Sequence, residues 1–207
     1  MGSSRIRTAA SMATVAAVMA LASCSSSVSP EPTGGDAECG PFVEEEAVVS
    51  VADWLYYETL DEAFEASDLV IVGEYLDSEV GLEYPLGDSV PDVPPIVTTF
   101  NDVRVVEVIS GEAAAGDEIV VAQMGGCHDG IHYREAATVL LADIEAPQVV
   151  LFLTRFEDHP FNTINPTEGV MLVHGEEIEA PYTESELRNL TSLDQLREAA
   201  DSPSSTG

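Results

Sequence analysis

The 207-residue chain contains no lysine. Its seven basic side chains are all arginine, set against 38 Asp and Glu, for a formal charge of −31. Such a polyanion repels nucleic acid and anionic headgroups, so no nucleic-acid partner is expected and any electrostatically steered partner is cationic. Without lysine there is no Gly-x-x-x-x-Gly-Lys phosphate loop. The Gly-x-Ser-x-Gly nucleophile turn is missing too, because Ser110-Gly111 lacks the preceding glycine. Asp-x-Asp calcium loops are also missing. No apolar run reaches the roughly 20 residues that a bilayer-spanning helix needs. These gaps remove whole function classes and leave no obvious catalytic motif.

What is present begins at the N-terminus. Arg5 and Arg7 precede an apolar or small-residue stretch from Thr8 to Ala20, the length of a secretory hydrophobic segment. Leu21-Ala22-Ser23-Cys24 follows and resembles the bacterial lipobox. The resemblance implies a signal peptide over 1–23, a diacylglycerol on the Cys24 thiol, and Cys24 as the mature N-terminus. Acyl chains on that residue hold a protein to a membrane stably where one chain does not. Cleavage within the alanine-rich run would instead release a soluble protein. Residues 24–38 are rich in Ser, Pro and Gly without apolar periodicity, which reads as a flexible tether. The expected location is the extracytoplasmic face of a membrane, reached through lipid on Cys24.

Removing the leader leaves five basic and 38 acidic side chains, a formal charge of −33. The mature length suits one domain, 39–201, with a disordered tail over 202–207. The charge favours solubility and a cationic protein, polyamine or divalent-cation partner. With Cys24 lipidated, Cys39 and Cys127 remain as the one pair able to form a disulfide in an oxidising compartment. Two reduced structural thiols are the alternative.

Along the domain, 47–57 suggests a short strand or extended segment. Thr59 with Glu62 forms a capping-box pattern for a short helix bearing Leu60, Ala63 and Phe64. Residues 68–77 read as a strand in which Gly73 marks a bulge or close approach. Residues 81–95 carry four prolines and two glycines and read as a loop. Alternation over 96–109 predicts a strand with a bulge. Residues 118–124 form another, ended by Gly125-Gly126, and 148–154 is a buried strand. Residues 161–173 and 176–179 close as a hairpin turning at His174-Gly175. Thr183 and Ser192 cap short helices, the second with Leu193 and Leu196 on one face. The fold class is mainly β: a small five- to six-stranded OB-like barrel with a short N-terminal helix and a C-terminal helical segment. A β-sandwich is the competitor.

Ala63-Phe64-Glu65-Ala66-Ser67-Asp68-Leu69-Val70-Ile71-Val72-Gly73 resembles the opening of a widespread exported bacterial domain. Val105, Val108, Ile109, Ser110 and Gly111 match the end of its long strand, and Gly125-Gly126 and 149–153 match later elements. The pattern covers roughly 60–155 and is similar to the OB-folds of netrin-like domains and tissue inhibitors of metalloproteinases. It implies fold rather than function. In those inhibitors an exposed N-terminal cysteine chelates zinc, a role that an acylated Cys24 does not share. The lysine-free, alanine- and acid-rich usage fits a high-GC Gram-positive (actinobacterial) source.

The cluster Cys127-His128-Asp129-Gly130-Ile131-His132 invites a metal reading, because His128 and His132 are four apart. Its glycines argue for a loop, and Cys127 is better used in a disulfide, so no metal or other cofactor is expected. Glu44-Glu45-Glu46 and Glu176-Glu177 read as solvated charge. The first functional expectation is a non-catalytic protein- or ligand-binding module using 81–95 and 125–147. The alternatives are an exported hydrolase with cleft carboxylates, or a structural envelope protein weakly binding divalent cations.

Overall fold

The computed structural model describes residue 39 and residues 46–83, 95–180 and 186–202. All of them belong to the unit Gly35–Gly207. Cys24, the leader, the tether, most of the 81–95 segment and Thr183 lie outside the described residues.

Among the described residues there are nine strands: β1 (Val48–Ser50), β2 (Leu69–Glu83), β3 (Ile96–Gly111), β4 (Glu118–His128), β5 (Ile131–Glu135), β6 (Gln148–Thr154), β7 (Phe161–Thr163), β8 (Val170–His174) and β9 (Glu177–Glu179). Helix α1 spans Leu60–Glu65 and α2 spans Leu193–Asp201. The sheet runs β1-β5-β4-β3-β2-β6-β8-β9, and β7 pairs with both β4 and β6. That last strand closes a ring of five, β2-β3-β4-β7-β6, with β4 and β7 parallel and the other pairs antiparallel. The ring is barrel-like and only partly closed, within a sheet of more strands than the five or six expected. Its seam is narrow, because β7 meets β4 only at Val121 and Ala122.

Closure needs bending, and the register shows where it comes from. Between β2 and β3 the pairing skips Ile109 and Val106 on β3 and Leu76 on β2. Each extra residue bends its strand and raises the local twist. Gly73 sits at one shift, where a Cβ would come within 2.6 Å of Val103 Cγ1. The close approach expected there is real.

The apolar runs of β2 and β6 follow from burial on both faces. Leu69 and Ile71 of β2 and Val149, Leu151 and Leu153 of β6 point into the barrel with Val103, Val105 and Val121. Val70, Val72, Val150 and Phe152 point outward, under Ala63 of α1 and Leu193 and Leu196 of α2. A strand covered on both sides has no polar phase, so alternation vanishes. Thr59 caps α1 in a full capping box, with Glu62 N–H on Thr59 Oγ1 at 3.3 Å and Thr59 N–H on Glu62 Oε2 at 3.1 Å. Ser192 caps α2 through Gln195 N–H.

Three boundaries differ from expectation. β2 continues through Gly81 to Glu83, held by pairing with β3 despite its glycine. β4 does not stop at Gly125-Gly126 but runs to His128, pairing there with β5. The closing segment splits, β7 going to the barrel seam while β8 and β9 form the hairpin, turning at Gly175-Glu176.

Candidate functional site

The barrel interior changes character along its axis. Val103 and Val105 of β3 line an apolar end, and two residues further back on the same face stand Asn101 and then Thr99. Asn101 is fully buried and donates through Nδ2 to Val121 O at 3.0 Å and Gln123 Oε1 at 3.2 Å. Gln123 in turn accepts from Leu141 N–H at 2.8 Å and donates to Val139 O at 2.7 Å. These bonds fasten the 136–147 segment, with its 3-10 turn Leu141–Asp143, across this polar end. A buried amide left unbonded would be costly, so the network specifies where that segment lies.

Beside the network opens a cavity of about 210 Å³. Ser78 and Val80 of β2, Thr99 of β3, Cys127 of β4, and His132 and Asp143 are among its walls. Thr99 donates its hydroxyl to Gly125 O at 2.7 Å. Gly126 keeps the floor open: its φ is +130°, and a Cβ there would meet Thr99 Oγ1 at 2.7 Å and Val80 Cγ2 at 2.9 Å.

The cluster around Cys127 is a β-hairpin rather than a loop. Cys127 faces His132 and His128 faces Ile131 across it, with Asp129 and Gly130 turning at φ of 51° and 75°. Two positive φ values in a two-residue turn match the hairpin twist. Neighbouring positions on one strand point to opposite faces. His132 therefore shares the face of Cys127 while His128 lies on the other, and the four-residue spacing does not make a ligand pair. Among the described residues no group of three or more His, Cys, Asp or Glu is gathered tightly enough to hold a metal.

Cys39 and Cys127 are bonded, with Cα atoms 5.9 Å apart. The bond ties the start of the domain to β4, a strand rather than the expected loop. Glu46 is exposed, and Glu176 ion-pairs with Arg197 at 3.0 Å. Arg197 also holds Glu107 at 2.8 Å and Asp194 at 2.9 Å, clamping α2 to β3. The guanidinium bonds hold the Glu107 carboxyl below the ordinary carboxylate value, against a smaller opposing effect of burial. Those hydrogen bonds, first to Glu107, push Arg197 upward. This clamp is structural and lies away from the cavity.

Of the two proposed contact regions, 125–147 supplies most of the cavity wall, while 84–94 lies outside the described residues. Sequence reading missed β5 and the Asn101–Gln123 network. The signal for β5 was available: Asp129-Gly130 between β-forming residues is a strong short-range hairpin mark. Comparison with protein families, with curated proteins and with solved structures finds no match.

Proposed function

We propose that the chain is an exported, lipid-anchored binding module, held to the outer face of a membrane through Cys24 and presenting the barrel beyond a tether. The observation that carries this reading is the Cys39–Cys127 bond. Disulfides belong to oxidising compartments. The pair is also what remains once Cys24 is assigned to lipid. The ring order of the five strands supports the likeness to netrin-like OB domains, whose faces and loops serve as contact surfaces.

The cavity beside Cys127 supports binding over hydrolysis. Among the described residues its charged lining consists of Arg134 and one carboxylate, Asp143, whereas glycoside hydrolysis uses two carboxyls across the bond. The reading is tested by expressing the full chain with an alkyne-bearing palmitate analogue. Wild type is expected to carry label and sediment with membranes, and Cys24→Ala to lose both. A wild-type protein released without label would overturn the anchoring, and label surviving in Cys24→Ala would move it to another residue.

A further inference from the structure

The outer edge of β4 changes partner partway along. β7 pairs with it at Val121 and Ala122, and β5 takes over at Gly125, so Gln123 and Met124 fall between the two. A second cavity of about 240 Å³ lies at this gap, walled by Trp54, Met124, Thr154, Asn162 and Thr163 among others. Trp54 is the chain's single tryptophan.

Two features of this cavity are unusual for the molecule. Charged residues make up 22% of the chain, yet none of the described residues lining this cavity is charged. The four other cavities described each include Arg, Asp or Glu. The second feature is the indole N–H of Trp54, which is buried and has no hydrogen-bond partner among the described residues. Buried donors are almost always satisfied, and an exception asks for an acceptor that the protein does not itself supply.

We propose that the cavity binds a neutral sugar ring. Its volume is below the range that drug-sized ligands fill, which suits a single ring rather than a large cofactor. Trp54 and Met124 give it an apolar side for the carbon face of a pyranose. Asn162, Thr154 and Thr163 give it a side whose groups both donate and accept, as sugar hydroxyls do. Asn162 spends one N–H on Pro160 O at 3.3 Å, and Thr154 donates to Asp68 at 3.0 Å while keeping its lone pairs. The indole nitrogen is covered, so the ring must turn for a ligand oxygen to accept from it. A uronate or phosphosugar would enter without a cation to pair with, against the field of a strongly acidic protein. The inference rests on the binding-module reading but not on the anchoring at Cys24.

Because Trp54 is the only tryptophan, its emission reports on this wall directly. The full-length chain is titrated with maltotriose, tri-N-acetylchitotriose, trigalacturonate and the neutral amide N-acetylalaninamide. A saturable change in emission is expected with at least one neutral trisaccharide and not with trigalacturonate or the amide. Asn162→Leu and Thr154→Val are each expected to weaken it about tenfold, one hydrogen bond's worth, in proteins that still unfold cooperatively in urea. No saturable change with either neutral sugar overturns the proposal, as does an equal response to trigalacturonate, saturation by the amide alone, or a response untouched in the double variant. Such results leave the palmitate-labelling outcome unaffected, so the two readings fail separately.

Discussion

The buried Glu168 carboxylate accepts the backbone N–H of Tyr57 at 2.8 Å, across 111 positions of sequence. The same oxygen accepts from Asn165 Nδ2 at 2.6 Å, and that amide also donates to Leu55 O at 3.1 Å. Asn165 Oδ1 takes the N–H groups of Thr167 and Glu168. The pair thus hooks the segment just after Trp54 onto the turn that follows β7. It holds the indole in the wall of the uncharged cavity while Leu55 and Tyr56 stay 75% and 63% exposed.

Asn165→Ala should release that hook. It strips an amide from a buried carboxylate and leaves Leu55 O without its donor, an expected loss of about 2–3 kcal/mol. Urea unfolding measures the loss. Acrylamide quenching of Trp54 in the folded protein should rise in parallel. A destabilised variant with unchanged quenching would mean that the segment is held by other contacts.

Gly126→Ala tests the cavity floor. An alanine there must adopt a φ near +130° and place its Cβ against Thr99 Oγ1 and Val80. Backbone strain and the lost Thr99–Gly125 bond together should cost about 2 kcal/mol or more. Gly116→Ala is the control: its φ is +95°, but nothing lies within 4 Å of the added carbon. Gly126→Ala should therefore lower the urea midpoint more than Gly116→Ala does. Equal effects would assign the cost to φ alone, without crowding.

These sites also mark how far the sequence was legible. α1 could be read because Thr59 and Glu62 make a local capping pattern. β2, β4 and β6 could be read because β-rich runs show in any window. What escaped was non-local. The continuation of β4 past Gly125-Gly126 depends on pairing with β5, and two glycines mask it. Asn101 and Gln123 look like ordinary surface polar residues until the barrel closes around them. Trp54 lies in an extended segment with no periodicity, anchored by Asn165 and Glu168 more than a hundred residues on.

The clamp on α2 predicts a pH dependence. Glu107 has a lower pKa folded than its ordinary 4.5, chiefly through its hydrogen bonds to Arg197. A carboxyl lowered by folding adds stability above its unfolded value, and that stability is lost as pH falls through the folded value. Arg197 stays charged throughout, so the acid limb lies on the carboxylate side of the clamp, where Glu107 makes the leading bond. The Arg197 and Glu107 side chains are 35% and 36% exposed, which limits the pair to about 1 kcal/mol. Arg197→Gln should be less stable than wild type at pH 7, and the gap should narrow below about pH 4 and in high salt. Protonation also relieves the repulsion among the other carboxylates, but in both proteins alike, so the difference isolates the clamp. A gap constant from pH 7 to pH 3 would mean that Arg197 acts by packing alone.

The crosslink gives the largest expected effect. Cys39 and Cys127 are 88 residues apart, so their bond closes a long loop in the unfolded chain. Loop-closure entropy puts its contribution at about 4.6 kcal/mol. The Cys39→Ser, Cys127→Ser double variant should show that loss in urea. It should also show a steeper urea dependence, because an uncrosslinked denatured chain exposes more surface. The two readouts separate two causes. Damage confined to the native state would lower the midpoint and leave the slope as it was. A steeper slope with a lower midpoint places the effect in the unfolded chain. Cys127 also lines the cavity on β4, so the same variant should bind any ligand of that cavity less tightly if the bond to Cys39 holds its wall in place.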